Sequence, residues 1–132
     1  MKVDYQFICD YAEASGKVNA LGIGFDAIYA PQLPFKHRHF CLVVQLRASI
    51  VEAGPKKIEV HLIDQDGKDV IPVLRGQAVI PKVEGRTESV SRIVMEFGNV
   101  EFKNYGPHSV RMTVEGVQMV DVPFTVSEPP KL

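Results

Sequence analysis

The stretch that decides the fold is Gly106-Pro107-His108-Ser109-Val110-Arg111-Met112-Thr113-Val114-Glu115-Gly116-Val117-Gln118-Met119-Val120-Asp121-Val122-Pro123-Phe124-Thr125-Val126. Apolar side chains stand at every second position on each side of its centre: Val110, Met112 and Val114 come first, then Val120, Val122, Phe124 and Val126. Only an extended strand turns alternate residues toward one face, so the pattern predicts a half-buried β-hairpin.

The loop of this hairpin is constrained by the face on which each arm carries its apolar residues. A two-residue loop at Glu115-Gly116 would place Asp121 on the apolar face. We therefore predict a three-residue loop, Val114-Glu115-Gly116, with its glycine at positive φ and with Val110 paired to Val120.

The rest of the chain repeats the period-two pattern of strands. It recurs within residues 2–11, 21–29, 40–48, 57–73 and 93–102. Because no segment carries an apolar stripe of helical period, we predict an all-β fold. The number of turns indicates an antiparallel β-sandwich, immunoglobulin-like, with about eight or nine strands. We expect a single domain over residues 1–126 and a flexible tail at 127–132.

Two pairings and two strand positions follow from the same pattern. Residues 2–11 and 21–29 are expected to form a hairpin, and 40–48, which is apolar on both sides, a central strand. Asp66-Gly67 has the composition of a two-residue type I′ turn, which would pair Ile63 with Val70. The second arm of that turn is expected at a sheet edge because it contains a proline.

Three segments are predicted as turns or loops. The prolines of Ala30–Lys36 indicate a long connection that reaches His39. Gly76–Glu88 is expected to be a mobile loop. Gly98-Asn99 is expected to turn the chain.

Charge and composition exclude several classes of function. Fifteen Lys and Arg against sixteen Asp and Glu leave a net charge of −1, so we expect neither nucleic acid nor a membrane as partner. No apolar run marks a signal peptide or a spanning helix, which predicts a cytoplasmic protein. In that compartment Cys9 and Cys41, each within an apolar strand, are expected to be reduced and buried.

Several short motifs along the chain resemble those of a protein family. They are Phe7-Ile8-Cys9-Asp10, Gly16-Lys17, Leu21-Gly22-Ile23-Gly24, Ala30-Pro31, Gly116-Val117 and Pro123-Phe124-Thr125-Val126. The chain resembles a set of small uncharacterised bacterial proteins of unknown function, a resemblance that implies no activity. The segment from Tyr105 to Val126 is also similar to the last strands of immunoglobulin-like modules. His108 stands where those modules place tyrosine, so their tyrosine-corner hydrogen bond is not carried over.

The candidate binding residues are Phe35, Lys36, His37, Arg38 and His39, the one local concentration of positive charge. We interpret them as a solvated basic loop that contributes to the binding surface, because binding residues concentrate on long loops. A metal site and a patch for an anion or an acidic partner are the alternatives. We predict neither a metal nor a cofactor.

Catalytic motifs are weak. Gly22-Ile23-Gly24-Phe25-Asp26-Ala27 matches a dinucleotide fingerprint in letters, but strand-forming residues and Pro31 follow where that motif needs a helix. His61 and His108 are possible general bases, yet no G-x-S-x-G, H-E-x-x-H or C-x-x-C accompanies them. We therefore expect no enzyme.

The function predicted from these observations is non-catalytic. We expect a protein-interaction or self-assembling module that uses a sheet edge or the loops around Pro31–His39 and Gly76–Glu88. A sandwich that binds a sugar or small anion is the alternative, and a hydrolase with a cryptic site is the third possibility.

Overall fold

The computed structural model describes residues 1–131, so Leu132, the last residue of the expected tail, lies outside the described chain. Ten strands make up almost all regular structure: β1 (Lys2–Cys9), β2 (Tyr11–Ala14), β3 (Val18–Leu21), β4 (Ala27–Tyr29), β5 (Phe35–Ser49), β6 (Gly54–Ile63), β7 (Leu74–Ile80), β8 (Glu88–Phe102), β9 (Gly106–Val114) and β10 (Val117–Ser127). One 3-10 turn, Ile50–Glu52, follows β5. The predicted all-β class is confirmed. Within residues 1–131, no helix has the length and apolar character needed to cross a membrane.

The strands form two sheets and a separate hairpin. The first sheet has the order β1-β5-β8, the second has the order β4-β10-β9-β6-β7, and β2 pairs only with β3. All pairs are antiparallel except β4 with β10. Gln6 bridges the two sheets by accepting a hydrogen bond from the backbone N–H of Asp121 at 3.2 Å.

The main core fills the space between the two sheets. Phe40 of the first sheet is fully buried, stacks on Phe97 at 4.6 Å between ring centroids, and meets the edge of Phe124 in the second sheet at 6.2 Å. Aromatic pairs in these geometries add to the free energy that burial supplies. One shared core therefore holds the sheets face to face.

The β9–β10 hairpin forms where the sequence predicts it, but its loop differs. Val114 pairs with Val117 across a two-residue loop, so the predicted three-residue loop is wrong. A register shift between Gln118 and Val120 instead returns the even-numbered residues of β10 to the apolar face, and Val120 pairs with Met112. Gly116 has φ 81°, as expected. Met112, Val120 and their even-numbered neighbours Val110, Phe124 and Val126 are buried, and Val122 is half-buried.

The expected hairpin between residues 2–11 and 21–29 is wrong. β1 pairs with β5, with a register shift between Val3 and Tyr5. The shift turns Val3 toward the main core, together with Ile8, and turns Tyr5 and Phe7 to the opposite face. The chain then reverses around Gly16, and β2–β3 folds over that outer face of the first sheet.

β5 is the central strand of the first sheet, as predicted, but it begins five residues earlier than the alternation 40–48 indicates. It pairs with β8 from Phe35↔Phe102 to Ser49↔Glu88. Two loop predictions therefore need correction. Residues 30–34 do connect β4 to β5, but Phe35–His39 belongs to β5, and Gly98-Asn99 continues β8 instead of turning the chain.

The turn at Asp66-Gly67 closes a wider loop than expected. Gly67 donates to the carbonyl of Asp64, and Ile63 bridges to Asp69, so the predicted Ile63–Val70 pair is wrong. Regular pairing with β6 resumes only at Leu74. The segment 68–73, predicted to be an edge strand, forms no regular strand, so that prediction is wrong. β7 is the edge strand of this sheet instead, and its residues 76–80 belong to the segment predicted to be a mobile loop.

Candidate functional site

Three potential ligand side chains meet on the outer face of the first sheet. His39 and Cys41 alternate on β5, and Glu96 is the cross-strand partner of Cys41 on β8. His39 Nε2 lies 3.6 Å from Glu96 Oε1 and 4.0 Å from Cys41 Sγ. The three ligand atoms all lie within 4.8 Å of one another. Because all three side chains project from paired strands, the backbone fixes their spacing.

The chain segment that enters the β2–β3 hairpin orients the histidine. His39 Nδ1 lies 2.9 Å from the carbonyl oxygen of Asp10, which can only accept a hydrogen bond, so Nδ1 carries the proton. In the neutral imidazole, the lone pair of Nε2 then faces Cys41 and Glu96. The ring of Tyr11 lies against the imidazole, with 5.7 Å between ring centroids.

A small apolar cluster lies beside these groups, under the hairpin. Cys9 is the β1 neighbour of Cys41, and both are completely buried together with Ala12 and Val43. Both thiols are free, and their predicted burial is confirmed. Burial raises the pKa of Cys9 to about 11 and also raises the pKa of Cys41, because a thiolate loses its hydration there.

The same hairpin has an apolar and exposed outer side. Tyr11 and Leu21 of the hairpin are 53% and 70% exposed, and Ile23, just after it, is 60% exposed. A groove runs along β3 and is lined on the β1 side by Tyr5 and Phe7, whose rings stack at 5.9 Å. Large apolar side chains are uncommon on a free surface in such proximity, so the hairpin is a candidate contact surface.

The predicted binding residues do not form one surface. Lys36 pairs opposite Glu101, and Phe35 packs against the main core. His37 contacts the rings of Phe25 and Phe40, whereas His39 reaches the outer face. Burial lowers the pKa of His37, which opposes a positive charge at this position. The expected basic loop is therefore a strand that distributes its residues over two faces.

The structure separates the histidines named as general bases. His61 is partly exposed and lies 3.3 Å from Asp69 and 3.7 Å from Glu59. His108 is buried, stacks on Phe124 at 5.5 Å, and directs Nδ1 to the carbonyl of Gly106 at 2.9 Å. Neither lies in the cluster around His39.

The fingerprint-like glycines are also placed away from any helix. Gly22 and Gly24 have positive φ in the connection to β4. The helix N-terminus that a dinucleotide requires is therefore missing from this part of the described chain.

Sequence reasoning did not find Glu96 as a partner of His39. The two residues are far apart in the chain, and only the β5–β8 register brings them together. A signal existed in the alternation of His39 and Cys41 on one strand, which places two ligand types on one face.

A comparison with family models gives the classification of the chain. A family described as "Family of unknown function (DUF6941)" matches residues 4–127. The chain belongs to this family. This match confirms the resemblance to proteins of unknown function that the sequence motifs predict. No curated protein matches it.

One solved structure that matches is that of Pseudomonas fluorescens alkylpurine DNA glycosylase AlkC bound to DNA containing an abasic site analog. The TM-score is 0.50 and the sequence identity is 13%. The alignment covers 96% of the DUF6941 chain and 30% of the glycosylase chain, so the chain spans less than a third of that protein. At this identity the likeness shows a shared fold alone.

This neighbour corrects one expectation about partners. We predicted no nucleic acid from the net charge of −1, and a protein with a similar fold is bound to DNA. The exclusion is therefore wrong, since the net charge of a domain does not report the local field of each surface.

Proposed function

We propose that the protein is a small non-catalytic module that self-associates through the free edge of β3. The observation that carries the proposal is the composition of this edge. Val18-Asn19-Ala20-Leu21 has no charge and no proline, and its one strand neighbour is β2. An uncharged edge strand is a template for pairing with another chain.

The other sheet edges of the described chain are protected in ways that β3 is not. β1 lies beside β10 of the other sheet, and β7 lies beside β8. β4 has only three residues, and β2, the other edge of the hairpin, lies beside β5 and β8. Natural sheets use such coverage and short edges to prevent pairing between molecules, so β3 is the exception that supports the proposal.

The hydrogen-bond pattern of the hairpin supports one register for the proposed pairing. The N–H of Ser15 donates to the carbonyl of Lys17 at 2.9 Å, which makes this pair hydrogen-bonded. Bonded and non-bonded pairs alternate in an antiparallel ladder, so Val18 and Ala20 direct their backbone groups toward the free side. A second copy can then pair Val18 with Ala20 twice, around a two-fold axis at Asn19.

This arrangement needs no second surface, because an antiparallel pair of identical strands is self-complementary. It also removes part of the apolar area of Leu21 and Ile23 from water. The chemistry of the edge therefore favours a second copy of this chain as the occupant.

The test is the oligomeric state by sedimentation equilibrium. The wild-type chain is expected to dimerise, and Asn19→Lys or Asn19→Asp is expected to remain monomeric, because two like charges meet at the axis. An equal mixture of the two variants should form a heterodimer. Gln118→Lys, another exposed amide on a strand, is the matched control and should dimerise like the wild type.

A wild-type chain that is monomeric at every concentration would overturn the proposal. Equal effects of Asn19→Lys and Gln118→Lys would do so as well, since they would show a general effect of charge.

The proposal includes two finer assignments. We infer an immunoglobulin-like arrangement, which is supported by two sheets over one core and by the parallel addition of β4 to the end of β10. We also infer a bacterial cytoplasmic protein; the cytoplasmic location is supported by two free thiols on adjacent strands.

A further inference from the structure

We propose that His39, Cys41 and Glu96 form a binding site for a divalent transition-metal ion of the Zn²⁺ class, with one coordination position left open. The proposal rests on three different ligand types whose atoms converge from two rigid strands. It is independent of the proposed association through β3.

The distances are close to those of a tetrahedral site. Zn–N and Zn–O bonds of about 2.1 Å and a Zn–S bond of about 2.3 Å give ligand–ligand separations of about 3.4 to 3.6 Å. The observed 3.6 Å from His39 Nε2 to Glu96 Oε1 and 4.0 Å from Nε2 to Cys41 Sγ exceed these values only slightly. All three ligand atoms lie within 4.8 Å of one another, so binding requires them to move together by up to about 1.2 Å, through rotation of the exposed Glu96 side chain and a smaller adjustment of His39 and Cys41.

The surroundings of the histidine match those of a metal ligand. Histidines that bind metals donate their other ring N–H to a carboxylate, a carbonyl or water, which fixes the ring and its tautomer. The carbonyl of Asp10 accepts such a bond from Nδ1 of His39 at 2.9 Å. Nε2 is therefore presented to the cluster before any ion arrives.

The three ligands favour a borderline soft ion. Thiolate and imidazole select Zn²⁺ and similar ions, whereas Ca²⁺ and Mg²⁺ require oxygen ligands. Cys41 is fully buried, and Glu96 has 64% of its side chain exposed, so an ion can approach from the carboxylate side. On binding, the Cys41 thiol loses its proton to solvent and the sulfur coordinates the metal.

Another group of titratable residues provides a contrast. His61 lies near Glu59 and Asp69, and this group has no thiol. An ion bound there would have only nitrogen and oxygen ligands. The two locations can therefore be distinguished by spectroscopy.

The experiment is a titration of the chelator-treated protein with Co²⁺, followed by competition with Zn²⁺. One Co²⁺ per chain should bind with a thiolate-to-cobalt charge-transfer band in the near ultraviolet, and Zn²⁺ should remove the band. Glu96→Gln should weaken the affinity for Co²⁺ at least about tenfold. Cys41→Ser should abolish the band.

Controls separate a site from general effects of charge and folding. Glu101→Gln removes another exposed carboxylate of β8 and should leave the affinity unchanged. His61→Gln should leave the band unchanged. Circular dichroism in chelator should show that Glu96→Gln has the same melting temperature as the wild type.

Three results would overturn the proposal. One is the absence of a thiolate band in the wild type. Another is equal affinity of Glu96→Gln and Glu101→Gln. The third is a band that Cys9→Ala removes and Glu96→Gln leaves intact, because the site would then use Cys9 and Cys41 instead.

Discussion

At the scale of single residues, two glycines separate the effect of a positive φ from the effect of a close contact with a neighbouring side chain. Gly116 has φ 81° and open space where a Cβ would stand. Gly22 has φ 69°, and a Cβ there would overlap the side chain of Asp10. Gly116 is needed for its backbone conformation alone, whereas Gly22 is needed for conformation and space.

Alanine substitutions should separate the two requirements. Gly116→Ala should lower the free energy of unfolding by about 1 kcal/mol, the cost of a Cβ in left-handed geometry. Gly22→Ala should lower it further than Gly116→Ala does, because the side chain of Asp10 must also move. Urea unfolding of each variant measures the difference.

Gly76→Ala is the control for this pair, because a Cβ at Gly76 would meet Ile58 at an ordinary 3.8 Å and its φ is not positive. Its stability should equal or exceed that of the wild type. If Gly116→Ala and Gly22→Ala lower the free energy of unfolding equally, the contact with Asp10 does not affect stability.

The Asp4 carboxylate gives a prediction about pH. Hydrogen bonds from Arg47, and then from Gln45 at 2.8 Å, hold the pKa of Asp4 below its ordinary value. Since the folded pKa is the lower one, this stabilisation is present above the unfolded pKa and is lost as pH falls through the folded pKa. Asp4→Asn should therefore be less stable than the wild type at neutral pH and equally stable in acid.

The measurement is the urea midpoint of both proteins from about pH 7 to about pH 2. Arg47→Gln should reduce the same pH dependence while keeping the carboxylate. A constant difference between wild type and Asp4→Asn at every pH would contradict the assignment.

At the scale of elements, β5 and β8 change faces together. From Phe40 onward, the core residues of β5 have even numbers, and up to Phe97 those of β8 have odd numbers. At the other end of the strand pair, toward Phe35 and Phe102, the core residues are odd in β5 and even in β8. The reversal coincides with Asn99, which has φ 51°. Asparagine tolerates this conformation better than other residues with a side chain. The switch brings His37 to the core side and leaves His39 on the outer face.

Substitutions at Asn99 should show that the switch depends on this conformation. Asn99→Gly should keep or raise stability, and Asn99→Ala should lower the free energy of unfolding by about 1 kcal/mol. Asn99→Val should cost more, because β-branched residues are the least compatible with positive φ. Thermal unfolding monitored by circular dichroism gives the order. Stability that rises from glycine to valine would indicate that β8 is a regular strand at this point.

The same elements show how much the sequence predicts. Local alternation was sufficient for the β9–β10 hairpin and for the central position of β5, because one buried face imposes period two. It was insufficient where a bulge or a change of face interrupts the period, as at Asp4, Met119 and Asn99. A residue in the left-handed region within a strand has no strong signature in one sequence, so Gly98-Asn99 was predicted as a turn.

The candidate site was less predictable for a different reason. The positive charge of Phe35–His39 marks this segment in the sequence, but the prolines that precede it predict a loop, whereas the structure has a strand. Glu96 reaches His39 only through a pairing between distant strands. Alternation within each strand shows which face a residue occupies, but it does not give the register between strands.

At the scale of the whole molecule, the described chain has two apolar clusters of unequal size. The larger one joins the two sheets, and the smaller one lies between the first sheet and the β2–β3 hairpin. The hairpin has no backbone pairing to either sheet. Elements with few buried contacts open at lower free energy than the core, so the hairpin should open while the sheets remain folded.

Thiol labelling tests this hierarchy, because Cys9 and Cys41 are buried beneath the hairpin and are unreactive while their pKa values stay raised. Ala12→Glu places a carboxylate in this small cluster, where it cannot stay buried without a partner. We expect labelling in chelator to become at least about tenfold faster, with little change in the urea midpoint. Ala14→Glu, on an exposed position of the same strand, should label like the wild type.

Phe40→Ala provides the opposite case, because it removes a large side chain from the main core and should cost about 3 to 5 kcal/mol of global stability. Its labelling should accelerate only as far as its global unfolding constant requires. If Ala12→Glu instead lowers the urea midpoint as much as Phe40→Ala does, the hairpin and both sheets unfold as one unit. The small cluster would then be part of the global core, and the hairpin would be too rigidly held to act as a separate contact element.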